Sequence, residues 1–290
     1  YIYPDASGIR KVSWKTGAVG RPVQFQETLP LTGPGQTRRD VMEIDYLKIA
    51  NLAGETLQLK YKANPQKIDE TLIPEAPNIQ QHNFRSDYEP FIIFEPGNRM
   101  HYIMDRDTKN RDHPGSCNHW PVAQPNCDGR VTQAFDRPAH FLGFPISNPI
   151  RHDDKDDRTY HCSLYGMNDL PFTELVELGK SWINAPELSP RGNKTLEAAY
   201  DRSQKAYVIS SSDGEINSVQ ASIACSHDSP LFNPAIVVEA WAKDAPSVRL
   251  NGKELGPDEF SYGFDRDLNI NCLVIWIPLK TSRTIELQIR

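Results

Sequence analysis

Short stretches in which apolar and polar residues alternate recur along the chain and predict β-strands. Residues 56–61 alternate strictly, and the loop residues 51–54 before them predict a hairpin with the preceding apolar segment. Residues 91–94 form a continuous apolar run, which is typical of a buried strand. In residues 248–255 an Asn-Gly pair separates two short stretches, which indicates another hairpin. The pattern therefore predicts a mainly β protein with antiparallel strands.

One segment has the pattern of a helix. Asp169 has the residue type of an N-cap, and Pro171 lies near the first turn, where proline is tolerated. The apolar residues that follow fall largely on one helix face, and they are Leu175, Val176, Leu178 and Trp182. The Asn-Ala-Pro sequence at 184–186 predicts the end of the helix. We interpret this helix as a connector that packs on a sheet.

These elements predict an antiparallel β-sandwich protein in three parts. A large β-sandwich domain covers residues 1–168, a short connecting helix covers 169–185, and a smaller C-terminal β-sandwich covers 186–290. The first domain contains a long polar loop at 105–160, which is poor in aliphatic residues and has no clear periodicity. Loops of such length inside a folded domain are usually functional, so this segment is the first place to look for a site.

Composition and charge narrow the class of partner. The 290 residues include 23 prolines and 17 glycines, which argues against long helices, and the net charge is −6. Since no basic stripe is present to bind phosphates, no nucleic-acid partner is expected. The longest apolar run, residues 272–278, is too short to cross a bilayer, so no membrane partner is expected.

Residues 117–130 form the most chemically diverse window of the chain. Trp120 offers a flat apolar face for a sugar ring, Arg130 offers a two-pronged donor for a carboxylate, and His119 can exchange a proton near neutral pH. The polar residues of the window that could bind such a ligand are Asn118, Gln124 and Asp128. The alternative is a polar loop that is hydrogen-bonded to its own backbone.

Several motifs resemble those of secreted bacterial lyases that act on uronate-containing polymers, of the ulvan-lyase kind. The motifs are NHWPVAQ, DGR, DRPAH, LYGM, a helix ending in KSW, the opening YPDASGIRK…FQET, and the late NPAIVVEAW…LNGKEL…LVIWIPL. The resemblance spans most of the chain and implies a supersandwich-like β fold, a secreted or extracellular location with the periplasm as an alternative, and an acidic polysaccharide as partner. In related lyases a helical toroid precedes the β-supersandwich, so the resemblance also implies an N-terminal helical domain that is missing from this chain.

The resemblance implies cleavage by β-elimination, in which a base removes the proton at C5 of a uronate and an acid protonates the leaving oxygen. A further group must neutralise the carboxylate so that the carbanion is stabilised. By residue type, the roles fall on Arg130 or Asn118 as neutraliser, on His119 or His140 as base, and on Tyr165 or Tyr160 as acid. The substrate-binding residues would be Asn118, Trp120, Gln124 and Asp128.

Local geometry predicts one relationship inside the polar window. The residue before Pro121 is pushed toward an extended conformation, and Asp128-Gly129 favours a tight turn just before Arg130. We therefore expect His119 and Arg130 to line one open cleft, with His140 or Tyr165 nearby.

Metal sites are the weaker alternatives, and no cofactor is expected. A zinc site could use His113, Cys117, His119 and Cys127, but the spacing fits no zinc motif, and a disulfide between the two cysteines is the preferred interpretation. A calcium site at 152–157 lacks the Gly and Glu of an EF-hand.

A second functional hypothesis is a non-catalytic carbohydrate-binding or structural β-sandwich. It follows from the missing helical domain, since a complete active site could require it. Asn193 begins a glycosylation sequon, which matters only in a secretory pathway.

Overall fold

A computed structural model describes residues 2–15, 38–60, 69–96, 151–153, 157–267 and 270–290. The chain divides into two compact units, an N-terminal unit at Ile2–Val176 and a C-terminal unit at Glu177–Arg290. The boundary falls inside the helix that the sequence predicts as a connector. Among the described residues, no helix is long and apolar enough to cross a membrane.

The N-terminal unit is built on one antiparallel sheet of seven strands. Its strands are β1 (Ser7–Lys15), β2 (Met42–Ala50), β3 (Thr56–Leu59), β4 (Ile79–Phe84), β5 (Glu89–Phe94), β6 (Arg151–Asp153) and β7 (Arg158–Asn168). The order across the sheet is β1-β7-β5-β4-β2-β3, and β6 pairs with the beginning of β7. Short helical segments at α1 (Arg38–Val41) and at Glu70–Leu72 accompany the sheet.

The predicted hairpin between β2 and β3 is confirmed. The side chain of Asn51 bridges the loop, because its Nδ2 donates to Glu55 Oε2 at 2.6 Å and its Oδ1 accepts the Glu55 N–H at 3.0 Å. Gly54 adopts a positive φ of 87°, which a residue without a Cβ adopts at no steric cost. The predicted apolar strand at 91–94 is likewise confirmed as the buried part of β5.

Alternation along the strands gives this sheet two distinct faces, which we call the Tyr165 face and the Phe91 face. On the Tyr165 face an apolar core forms over one half of the sheet, from Leu47, Ile49, Leu59, Ile92 and Phe94. On the Phe91 face the buried row Ile79, Ile93 and Leu164 crosses three strands. The first residue of the next helix lies on this second face, where Lys48 Nζ is 5.0 Å from the ring of Phe172.

The predicted helix is confirmed as α2 (Phe172–Ile183). It begins three residues after Asp169, so Asp169 is not its N-cap. The first helical N–H groups, of Glu174 and Leu175, bond to the Pro171 carbonyl.

The helix is anchored in the C-terminal unit by its last turns. The Nε1 of Trp182 donates to the carbonyl of Arg202 at 2.9 Å, and Ser181 Oγ accepts the N–H of Phe232 at 3.0 Å.

The C-terminal unit is a β-sandwich of two five-stranded sheets. Its strands are β8 (Glu187–Pro190), β9 (Leu196–Asp201), β10 (Ala206–Ser211), β11 (Val219–Ala224), β12 (Leu231–Phe232), β13 (Ala235–Val238), β14 (Val248–Leu250), β15 (Lys253–Glu254), β16 (Ser261–Asp267), β17 (Ile270–Trp276), β18 (Lys280–Thr281) and β19 (Ile285–Ile289). The sheets have the orders β16-β17-β13-β10-β9 and β15-β14-β19-β11-β8, and β12 pairs with β18. Side chains from both sheets form one core, so the chain is mainly β with sandwich-like packing, as the sequence predicts.

Two details differ from the sequence prediction. Strands β10 and β13 pair in parallel, because the chain crosses through β11 of the other sheet before it returns. In addition, residues 151–153 and 158–160 of the predicted polar loop at 105–160 lie in β6 and β7. These strands were missed because most of their residues are polar, a composition that resembles a loop.

Candidate functional site

Of the residues proposed for catalysis and binding, Tyr165 and its alternative Tyr160 lie in the described part of the chain. The others fall outside the described residues, and they are Asn118, His119, Trp120, Gln124, Asp128, Arg130 and His140. The cleft predicted for His119 and Arg130 and the disulfide predicted for Cys117 and Cys127 therefore stay predictions.

Tyr165 belongs to a row of polar side chains on one face of β7. Alternation along the strand places Thr159, His161, Ser163 and Tyr165 on the same side, and we call these four residues the β7 polar row. Thr159 and Ser163 are 0% exposed and His161 is 1% exposed, whereas Tyr165 is 38% exposed. The row thus runs from buried polar groups to one phenol that solvent can reach.

Strand β7 holds this row firmly because it is hydrogen-bonded on both sides. It pairs with β1 along Ser7–Lys15 and with β5 along Glu89–Phe94. Tyr165 stands opposite Ile92 on one side and opposite Gly8 on the other. Since Gly8 has no side chain, the ring of Tyr165 has no directly opposite side-chain neighbour toward β1.

Gly166, directly after Tyr165, allows unusually close packing on the Phe91 face. A Cβ atom at this position would lie 2.7 Å from the ring of Phe91 and closer still to the carbonyl oxygen of Ala6. Ala6 belongs to an N-terminal turn in which Tyr3 N–H donates to the Ser7 carbonyl at 2.8 Å and Ser7 Oγ donates to Asp5 Oδ1 at 2.6 Å. The turn and the Phe91 ring together define the backbone position next to Tyr165.

Arg10 of β1 lies beside the β7 polar row. It pairs with Ser163, so its side chain projects from the Tyr165 face, diagonal to both His161 and Tyr165. Arg10 is exposed, and within the described part of the chain its guanidinium forms no hydrogen bond or ion pair. Its neighbour Lys11 projects from the opposite face, where its Nζ is 5.7 Å from the ring centroid of Tyr160.

The two tyrosines that the sequence offered as the acid are therefore distinguished by the structure. Tyr160 and Tyr165 are five residues apart on β7 and lie on opposite faces of the sheet. Only Tyr165 shares a face with His161 and Ser163.

The carboxylate of Glu95 holds the backbone in the middle of β7 from the side of β5. Glu95 follows β5 and is 1% exposed, and its Oε2 accepts the backbone N–H of Cys162 at 2.8 Å. The side chain thereby adds a hydrogen bond to β7 just beyond the end of β5. Its partner, Cys162, lies between His161 and Ser163 in the sequence.

A second buried histidine on the same face is not part of the row. His82 of β4 stands opposite Leu47, and β5 lies between its strand and β7. Burial lowers the pKa of His82 from 6.5 to about 4, because desolvation disfavours the charged imidazolium. A histidine that is neutral and enclosed at neutral pH is best understood as a core residue.

Sequence reasoning missed Arg10 and Ser163 and gave His161 no role. The polar residues at 159, 161, 163 and 165 recur with the period of a strand, and this signal could have identified the row. No local signal could have found Arg10, because it meets Ser163 only through long-range strand pairing.

The described residues contain no cluster of three or more His, Cys, Asp or Glu side chains that could hold a metal ion. Of the suggested calcium site, His152 and Asp153 lie in β6, and residues 154–156 fall outside the described residues.

Comparisons of the chain with protein-family models, with curated proteins and with solved structures find no match.

Proposed function

We propose that the protein binds an acidic polysaccharide on the Tyr165 face and cleaves it by β-elimination at a uronate. The observation that carries this proposal is the exposed Tyr165 at the end of the β7 polar row. A phenol supplies an apolar ring face for a sugar and a hydroxyl that can donate a proton.

In the proposed reaction a base removes the proton at C5 of the uronate. The electron pair forms a double bond between C4 and C5, the bond from C4 to the glycosidic oxygen breaks, and Tyr165 protonates the leaving oxygen. The reaction consumes no water, and it leaves one new reducing end and one unsaturated uronate end. His119 and His140 remain the candidates for the base. A secreted or extracellular location belongs to the same proposal.

The second candidate function is carbohydrate binding without cleavage. It is favoured by the burial of His161, because a histidine with 1% exposure cannot serve as the base beside Tyr165 in this conformation. Of the β7 polar row, Tyr165 is then the member that meets the ligand, and an exposed ring is sufficient for binding.

The decisive experiment measures the unsaturated product by its absorbance at about 235 nm. A general acid such as the proposed Tyr165 accelerates the reaction roughly 100-fold, so its loss should be visible in this assay. The protein is mixed with alginate, polygalacturonate and ulvan, and Tyr165→Phe is compared with Tyr160→Phe. Both substitutions remove one hydroxyl from β7, but they do so on opposite faces of the sheet.

We expect Tyr165→Phe to lose most of the turnover and Tyr160→Phe to retain it. Equal activities of the two variants would remove Tyr165 from the mechanism. Absence of product with every polymer at high protein concentration, together with measurable binding, would replace the lyase by the carbohydrate-binding function.

A further inference from the structure

We propose that Arg10 is the residue that binds the carboxylate of the acidic polysaccharide and so determines the preference for charged over neutral polymers. This inference rests on the proposed function and assigns a residue to its substrate recognition. Arg10 lies 120 residues before Arg130 in the sequence, and its role follows from strand pairing.

The register of β1 against β7 brings Arg10 to the site. Arg10 stands directly opposite Ser163, and residues so paired have Cβ atoms about 5 Å apart, while diagonal neighbours are about 7–8 Å apart. Tyr165 and His161 are these diagonal neighbours. The long side chain of Arg10 and the ring of Tyr165 can therefore reach two groups of one sugar residue.

The charges around Arg10 favour an anionic ligand. Neither β1 nor β7 contains an Asp or a Glu, so no carboxylate on these two strands competes for the guanidinium. Lys11 and Lys15, the other cations of β1, alternate onto the opposite face. Arg10 is thus the one cation that β1 presents on the Tyr165 face.

The chemistry of the guanidinium matches a carboxylate in particular. Arginine presents two parallel N–H donors to the two oxygens of a carboxylate, and its charge persists at all physiological pH values. Because Arg10 is exposed and its guanidinium has no partner within the described residues, binding a carboxylate does not require an ion pair with any described residue to be broken.

Binding measurements on charge-matched variants test this inference. Dissociation constants are measured by calorimetry for the wild type, Arg10→Gln, Arg10→Lys and Lys11→Gln. The ligands are alginate, polygalacturonate and ulvan, each with its carboxyl-reduced form. Lys11→Gln is the matched control, because it removes the same charge from the neighbouring residue on the opposite face.

For at least one native polymer we expect Arg10→Gln to weaken binding about five- to tenfold, since an exposed pair with two parallel hydrogen bonds is worth more than an ordinary surface pair. Arg10→Lys should weaken binding less, because it keeps the charge but loses the fork. Lys11→Gln should bind as the wild type does. Carboxyl reduction of the polymer should remove the difference between Arg10→Gln and the wild type.

Three results would overturn the inference. They are equal affinities of Arg10→Gln and Lys11→Gln, an effect of Arg10→Gln that persists with the carboxyl-reduced polymer, and no binding by the wild type. The elimination assay on the same samples separates it from the proposed function. If Arg10→Gln forms product as the wild type does, the role of Arg10 is excluded and the proposed lyase activity stands. If binding depends on Arg10 but no product forms, the lyase activity is excluded and Arg10 is kept as a residue that binds the polysaccharide.

Discussion

The ring of Phe91 occupies the space beside Gly166 in which any other residue would place its Cβ atom, at a separation of 2.7 Å. Phe91 and Gly166 stand opposite each other on β5 and β7, so this packing joins the two strands directly behind Tyr165. Even the smallest side chain at 166 has to displace either this ring or the N-terminal turn.

We therefore expect Gly166→Ala to lower the free energy of unfolding by about 1–3 kcal/mol through overpacking. The matched control is Gly263→Ala, a strand glycine whose Cβ would meet no atom within 4 Å. Urea unfolding measures the effect, and hydrogen–deuterium exchange of β5 and β7 locates it. A Gly166→Ala variant as stable as the control would mean that Phe91 and the turn move aside without cost.

Ala6 adopts a φ of 56°, a left-handed conformation that disfavours any residue with a Cβ. We expect Ala6→Gly to stabilise the N-terminal unit by about 0.5–1 kcal/mol, because the steric cost exceeds the added entropy of the unfolded chain. The comparison is with Ala199→Gly, because Ala199 is an exposed residue of β9 with no positive φ, and this variant should be destabilised. Stabilities that fall in both variants would show that the strain at Ala6 is negligible.

His82 should make stability depend on pH. Its pKa falls from 6.5 to about 4 in the folded state because of burial, so the unfolded chain binds a proton that the folded chain excludes between these values. The free energy of unfolding should therefore rise with pH across this window and level off above it. The rise in the free energy of unfolding that His82 causes across this window is on the order of 3 kcal/mol.

Urea unfolding of the wild type and of His82→Gln at a series of pH values tests this expectation. The variant is destabilised by a constant amount where His82 is neutral, and its curve should be flatter between pH 4 and 6.5. Parallel curves throughout that range would show that His82 carries no such proton linkage.

Glu95 should be required for the stability of β7. Glu95→Ala removes the acceptor of the Cys162 N–H, and a buried donor without a partner costs about 1–3 kcal/mol. Glu95→Gln retains a carbonyl oxygen at the same place and should cost less. Thermal unfolding compares the two variants, and faster exchange of the Cys162 amide in Glu95→Ala alone would support the assignment. Identical losses would show that the charge of Glu95, rather than this hydrogen bond, is what matters.

Much of the local structure was predictable because it depends on neighbouring residues. Asn251 and Gly252 both have positive φ values, 50° and 82°, and this pair reverses the chain between β14 and β15 as its residue types predict. The alternation at 56–61 and the proline near the first turn of α2 are likewise local signals, and they predicted a strand and a helix. A strand pattern made of polar residues, as in the β7 polar row, was not recognised, because polarity alone resembles a loop.

By itself, the sequence determined where most strands turn, that one long helix of the described residues ends before Asn184, and that the protein is mainly β. It also determined that Tyr160 and Tyr165 project to opposite sides of any strand that contains both, since successive side chains alternate. Only the tertiary structure decided which of them faces His161 and Ser163 with an exposed ring, and that Arg10 stands beside them. The reason is physical: alternation and turn geometry act over a few bonds, whereas the register between β1 and β7 joins residues about 150 positions apart through backbone hydrogen bonds that any sequence can form.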